Sequence, residues 1–231
     1  PPRISRVINI LMFVVLFYNS CGKKKEPSAL EVNPQKDEVA KIIFAEVTSE
    51  SGLGSFRHDN GSFGEMWFPE QMGSGGGFID YNNDGWLDLA VANDGERDLL
   101  YKNNPGGVFE EVGTELGMAY GENGEARAGM GIDAGVVDSS GNTTIFIGNF
   151  SNEMVGVYSY SDKGWFNDRA AISKVGRPSF PSLTFGLVLF DVDMDSDLDL
   201  FIGNGHVYPV RTKNQDGITY KIGRASCRER V

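Results

Sequence analysis

Histidine and cysteine are scarce in this chain of 231 residues, which has two of each. The two histidines, His58 and His206, leave little material for a histidine-based catalytic triad or a histidine-rich metal site. Two cysteines cannot build the disulfide framework of a small secreted domain. Basic residues are also few, with 21 Lys and Arg against 32 Asp and Glu, and the net charge of −11 repels phosphate backbones. The composition therefore argues against nucleic-acid binding and suits a protein that collects divalent cations.

The N-terminus lacks an apolar run long enough to cross a membrane. Its apolar stretch, Val7 to Tyr18, is shorter than the roughly 20 residues that a spanning helix needs, and basic residues precede it. We interpret residues 1–20 as a signal peptide. Cys21 follows directly and resembles the cysteine of a bacterial lipobox, which implies a lipid anchor at Cys21 on the outer membrane or cell surface of a Gram-negative bacterium. Plain secretion and an uncleaved anchor remain open.

Two further segments lie outside the predicted fold. Residues 21–40 carry the lipidated cysteine and a polar stretch without periodicity, which indicates a flexible tether. Residues 222–231, IGRASCRERV, resemble a translated sequencing adapter, so we leave them out of the fold prediction. The folded body is then expected over residues 41–221.

Helical periodicity is missing from residues 41–221, and short apolar runs alternate there with glycine-rich turns. Two sequence motifs repeat with the same period. FAEVTSESGL returns as FEEVGTELGM, and a glycine-rich lead, an acidic loop, an apolar strand and a closing asparagine occur three times, ending at Asn93, Asn149 and Asn204. A period of about 55 to 60 residues indicates one structural unit used repeatedly.

A unit of this length with four short strands is typical of a β-propeller blade, which buries its faces only against neighbouring blades. We therefore predict an all-β fold, a partial β-propeller of about three four-stranded antiparallel blades. A closed ring has about four to eight blades, so we expect a fragment of a longer propeller.

The acidic loops have the ligand types of a calcium site. In DYNNDGWLD, the odd positions Asp80, Asn82, Asp84 and Asp88 carry oxygen donors, and Trp86 offers its backbone carbonyl. Calcium takes six to eight oxygens in flexible geometry, which such a loop can supply. DVDMDSDLD repeats the pattern, and its candidate ligands are Asp191, Asp193, Asp195, Asp197 (through its carbonyl) and Asp199. In this second loop Ser196 replaces the glycine at position six, which predicts a strained turn.

Other interpretations of these loops fit less well. An EF-hand needs a glutamate at position twelve, where Val91 and Ile202 stand, and magnesium prefers strict octahedral geometry. A solvated acidic turn without metal remains open. The middle copy, Asp138 to Asn149, offers only Asp138, Ser140 and Asn142, so we expect it to have lost the ion.

These repeats resemble the FG-GAP or VCBS blades of integrin α-chain heads and of many secreted bacterial proteins. The phrases GMGIDAG, IGNFSNE, TFGLVLFDVDMD and NGHVYP are similar to those of bacterial relatives of cartilage acidic protein, whose propeller is usually followed by an ASPIC/UnbV domain. The resemblance implies calcium at the ligands named above and a role in adhesion or ligand binding. It does not identify the ligand.

We therefore expect no enzyme, but an extracytoplasmic calcium-binding lipoprotein that acts as a scaffold for a protein or glycan ligand, with membrane contact only through its lipid anchor. GSGGGF, residues 73–78, leads into a strand without the Gly-Lys-Ser/Thr of a phosphate loop, so we interpret it as close backbone packing. Two alternatives stay open: an accessory part of a carbohydrate-processing protein with its catalytic module elsewhere, and a purely structural component of surface assembly.

Overall fold

The structure is a computed structural model that describes residues 44–57, 64, 73–205 and 225–226. Cys21, His58 and His206 lie outside the described residues, as do the predicted signal peptide and tether. The chain divides into two compact units, Pro1–Phe44 and Ala45–Val231, and every described strand belongs to the second.

Short antiparallel strands make up most of the described secondary structure. The strands are β1 (Gly75–Ile79), β2 (Asp88–Ala92), β3 (Leu99–Asn104), β4 (Val108–Glu111), β5 (Ile132–Val136), β6 (Thr143–Ile147), β7 (Gly156–Tyr160), β8 (Phe166–Asp168), β9 (Leu183–Phe190), β10 (Asp199–Gly205) and β11 (Ala225–Ser226). Two single-turn helices, α1 (Gly113–Leu116) and α2 (Gly176–Ser179), and a 3-10 turn at Ala170–Ile172 lie in the connections.

The strands form three antiparallel sheets in chain order. The first sheet is β1-β2-β3-β4, the second is β5-β6-β7-β8, and the third is β11-β10-β9. The first two are four-stranded meanders, as the repeat predicts, whereas the third has three described strands. The strand β11 falls in the segment that we set aside as adapter-like, and it pairs two residues with β10.

The sheets follow one another in a row, with their first strands adjacent. Strand β5 contacts β1 on one side and β9 on the other. One apolar cluster lies between the first and second sheets and contains Tyr81, Ala90, Ala92, Leu100, Met118, Ile145, Ile147, Tyr158 and Phe166. A second lies between the second and third sheets and contains Phe146, Val155, Val157, Ala170, Val175, Leu200 and Ile202. Each internal sheet face is therefore buried against its neighbour, which is how propeller blades are stabilised.

The closing asparagines make side-chain hydrogen bonds near the end of the second strand of each sheet. The Asn93 amide donates to the Arg97 carbonyl at 2.8 Å, and the Asn149 amide donates to the Met154 carbonyl at 2.7 Å. In the third sheet, Asn204 Oδ1 accepts a hydrogen bond from the Thr184 hydroxyl at 2.9 Å. In the first two sheets the asparagine amide thus satisfies a backbone carbonyl beyond the strand end, whereas Asn204 links the first two strands of the third sheet.

The glycine-rich segment of residues 73–77 has one position where close packing requires glycine. A Cβ on Gly75 would overlap the backbone carbonyl of Met130, which precedes β5, whereas a Cβ on Gly77 would meet nothing within 4 Å. Close backbone approach therefore explains Gly75 and not the whole run.

These features confirm the predicted fold class: an all-β chain with three antiparallel sheets arranged as part of a β-propeller. Within the described residues the row of sheets does not close into a ring. The same residues contain no helix of the length and apolar character needed to span a bilayer.

Candidate metal-binding loops

The first acidic loop joins β1 to β2 and is held by its own carboxylates. Asp80 accepts hydrogen bonds from the backbone N–H groups of Asp84 and Gly85, at 3.1 and 3.0 Å. Asp84 in turn accepts one from the Trp86 N–H at 2.9 Å and one from the Asn82 amide at 2.9 Å. These bonds, the Trp86 N–H first, lower the pKa of Asp84, so its carboxylate is charged at neutral pH.

The loop between β9 and β10 has the same pattern of hydrogen bonds. Asp191 accepts hydrogen bonds from the N–H groups of Asp195 and Ser196, at 3.1 and 2.8 Å, and Asp195 accepts one from the Asp197 N–H at 3.1 Å. Positions one and five therefore bind the N–H groups of positions five, six and seven in both loops. These shared hydrogen bonds give the two loops the same backbone turn.

Both loops require left-handed backbone at positions four and six. In the first loop these are Asn83, with φ of 57°, and Gly85, with φ of 88°; in the other they are Met194, with φ of 60°, and Ser196, with φ of 73°. Glycine adopts this region without steric cost, whereas a residue with a Cβ adopts it only with backbone strain. The strain predicted at Ser196 is therefore present in the structure.

Three carboxylates converge in the second of these loops. Asp191, Asp193 and Asp195 each offer an oxygen, and these oxygens lie within 4.8 Å of one another. Two oxygens bound to one calcium ion are separated by at most about 5 Å, because each lies about 2.3 to 2.6 Å from the ion. The three residues therefore fit a calcium ion. In the described part of the chain, no other group of three acidic, histidine or cysteine residues converges in this way.

The carboxylate at position nine is buried beneath each loop. Asp88 is fully buried and accepts hydrogen bonds from the Tyr81 and Asn103 N–H groups, at 3.3 and 2.8 Å. Burial is the largest influence on the Asp88 carboxyl and raises its pKa, against the two N–H bonds that lower it. Asp199 is also buried and accepts the Val192 N–H at 3.1 Å, and it is not among the three converging carboxylates. In this structure Asp88 and Asp199 tie the loop to its sheet, and their role as direct ligands stays a prediction.

The middle loop differs where a ligand would be needed. Counted back from the closing asparagine, Thr144 occupies the place of Asp88 and Asp199, and its hydroxyl pairs with the Ser159 hydroxyl at 3.1 Å. Asp138 accepts bonds from the Ser140 N–H and hydroxyl, and the Arg169 guanidinium lies 3.9 Å from its other oxygen. A protein cation therefore stands beside the single carboxylate of this loop.

A buried charged cluster at the opposite end of the first two sheets was missed by the sequence analysis. The Arg127 guanidinium pairs with Asp168 at 2.7 Å and with Glu125 at 3.3 Å, which links the connection before β5 to β8. Asp98 is only 3% exposed and accepts the Asn93 N–H at 2.9 Å. Burial raises the pKa of Asp98 to about 8, although the Asn93 bond and the charge of Arg127 lower it. Asp168 ends β8 as Glu111 ends β4, and Glu111 pairs with Arg97, but the repeat does not indicate that Asp168 pairs with a buried arginine.

Comparison with known proteins supports the repeat. The FG-GAP-like repeat family matches residues 80–135, from the first acidic loop through β2, β3 and β4 into β5. No curated protein matches the chain. Residues 80–135 thus form an FG-GAP-like repeat, with its acidic loop between the first two strands of the sheet.

Proposed function

We propose that this protein is an extracytoplasmic calcium-binding scaffold, whose propeller blades present a surface to a protein or glycan ligand. The loops Asp80–Asp88 and Asp191–Asp199 would each hold one calcium ion, and the middle loop would hold none. The protein would act by binding and not by catalysis. Its anchor would be a lipid on Cys21, at the outer membrane or cell surface of a Gram-negative bacterium.

The observation that carries this proposal is the hydrogen-bond pattern that the two loops share. Both use the same three backbone N–H groups to orient the carboxylates at positions one and five, although their sequences differ at positions two, three, four, six and seven. A turn that only had to be polar and solvated would not need the same left-handed positions twice, including one on serine.

Calcium would supply the charge that the loop lacks. Asp191, Asp193 and Asp195 repel one another at their present separation, and a divalent ion at their centre would turn that repulsion into attraction. In the first loop Asp80, Asn82 and Asp84 would hold the ion with the Trp86 carbonyl. Because the second strand of each sheet begins directly after the loop, a bound ion would fix the start of β2 and of β10.

Calorimetric titration of the full chain with calcium tests the proposal. We expect two sites, of which Asp84→Ala removes one and Asp195→Ala the other. Asp138→Ala, the matched change in the middle loop, is expected to leave both. Absence of binding heat together with an unchanged melting temperature in calcium would contradict the proposal, as would loss of a site in Asp138→Ala.

A further inference from the structure

The first acidic loop is part of the interface between the first two sheets. Tyr81 stands at position two of this loop, between the candidate ligands Asp80 and Asn82. It is only 2% exposed and belongs to the apolar cluster that lies between the two sheets. Connections between strands usually keep their side chains at the surface, so a buried tyrosine at this position indicates a role in packing. The loop that would hold the ion therefore also contributes to the contact between sheets.

The Tyr81 ring packs against two aromatic rings of the second sheet. Its centroid lies 5.1 Å from that of Tyr160 in β7, with 83° between the ring planes, and 5.6 Å from that of Phe166 in β8. Tyr160 and Phe166 also contact each other, with their centroids 5.0 Å apart. Aromatic pairs at such separations stabilise a structure beyond the area that they bury. The three rings thus join the loop of the first sheet to the last two strands of the second.

A polar contact joins the same two parts of the molecule. The Thr143 hydroxyl, at the start of β6, donates to the backbone carbonyl of Asp80 at 3.4 Å. The Asp80 carboxylate meanwhile accepts hydrogen bonds from the N–H groups of Asp84 and Gly85 inside the loop. Asp80 therefore contacts the second sheet through its backbone and organises the loop through its side chain.

The backbone of Tyr81 is tied to the candidate ligands around it. The Tyr81 N–H donates to the Asp88 carboxylate at 3.3 Å, and the same carboxylate accepts the Asn103 N–H of β3 at 2.8 Å. Asp80 and Asn82 are the direct neighbours of Tyr81 in the chain. A rearrangement of these ligands would therefore move the Tyr81 ring relative to the second sheet.

We propose that calcium in the first loop strengthens the packing of the second sheet against the first, and that Tyr81 transmits this effect. The inference rests on the proposed function, because it needs an ion in this loop. An ion that fixes the residues on either side of Tyr81 also fixes its backbone, and so holds its ring against Tyr160 and Phe166. Such coupling is reciprocal: the packing of the two sheets strengthens calcium binding by the same factor by which calcium strengthens the packing.

The reciprocal effect can be measured as the calcium affinity of the first loop in variants of the second sheet. Calorimetric titration uses the full chain with Asp195→Ala, which is expected to leave only the first-loop site. Adding Tyr160→Leu removes a ring that contacts Tyr81 without altering a candidate ligand. We expect the calcium affinity to fall about two- to tenfold, the range that corresponds to the loss of one aromatic pair.

Two controls show whether the effect depends on the ring contact. Val157→Ala alters the same strand in the cluster shared with the third sheet, and it should leave the affinity of the first loop unchanged. Tyr160→Leu combined with Asp84→Ala, which is expected to leave only the site at Asp191–Asp199, should bind calcium like Asp84→Ala alone. Circular dichroism checks that each variant folds, and Phe166→Leu, a milder change at the other ring, replaces Tyr160→Leu if that variant does not fold.

Two results would overturn this inference while leaving the calcium site intact. One is an unchanged affinity on adding Tyr160→Leu to Asp195→Ala. The other is an equal loss of affinity in Val157→Ala, since the loss would then come from the second sheet as a whole and not from the ring contact. If Asp195→Ala binds no calcium at all, the proposed site in the first loop fails, and this inference fails with it.

Discussion

The buried carboxyl of Asp98 makes the stability of the first two sheets depend on pH. Its folded-state pKa of about 8 lies well above its ordinary value of 3.8, chiefly because of burial. The charge of Arg127 lowers the pKa of Asp98 and offsets the effect of burial only in part, while its guanidinium pairs with Asp168 and Glu125. The carboxyl therefore favours its protonated form, and folding becomes weaker when the proton is lost.

The sign and size of the effect follow from the two pKa values. Because the folded-state value is raised, the stabilisation is complete below about pH 4 and is lost as the pH rises towards 8. In this window one proton contributes about 1.4 kcal/mol per pH unit to the free energy of unfolding. From pH 5 to pH 7 the loss is on the order of 2 to 3 kcal/mol.

Asp98→Asn isolates this contribution, because asparagine keeps an oxygen for the Asn93 N–H and cannot ionise. We expect the free energy of unfolding of the wild type, measured by urea titration at fixed calcium, to fall from pH 5 to pH 7 more steeply than that of the variant.

Asp138→Asn is the control. The Ser140 hydroxyl is the first of several groups that lower the pKa of this exposed carboxyl, so it stays ionised throughout the range. Asp138→Asn should therefore leave the pH dependence of the free energy of unfolding unchanged. Equal slopes in wild type and Asp98→Asn would refute the reasoning.

Three further predictions concern the lead into the first sheet and the acidic loops. Gly75→Ala should cost about 3 kcal/mol or more in urea unfolding, because its Cβ would overlap a backbone carbonyl, while Gly77→Ala should cost far less. Ser196→Gly should raise the free energy of unfolding by up to about 1 kcal/mol, since it relieves left-handed strain, and a lower value would contradict that. Trp86→Leu should remove most tryptophan-sensitised emission of bound terbium but keep calcium binding, which uses the backbone carbonyl; Trp165→Leu should leave the emission intact.

The sequence predicted the fold well because the repeat encodes it. The apolar runs before the closing asparagines form β2, β6 and β10, and Asn93, Asn149 and Asn204 lie within two residues of the ends of these strands. The loss of a ligand position in the middle loop was also visible as a shortened loop. Local patterns of this kind recur because each sheet solves the same packing problem.

Other features could not be predicted, because they depend on contacts between segments that are distant in the sequence. The pairing of Arg127 with Asp168 joins residues 41 apart in the sequence, whereas Glu111, which ends β4 as Asp168 ends β8, pairs with Arg97 instead. The spacing of Asp88 identified an oxygen donor but not its burial beneath the loop, where two backbone N–H groups hold it. Spacing reports which residues lie on one loop, but burial is decided by the neighbouring strands.

The central claim is that two of the three loops hold calcium. The most direct measurement is the anomalous diffraction of calcium in crystals of the full chain grown with that ion. We predict one peak among Asp80, Asn82 and Asp84, another among Asp191, Asp193 and Asp195, and none beside Asp138. Absence of either of the two peaks, or a peak at Asp138, would contradict this account.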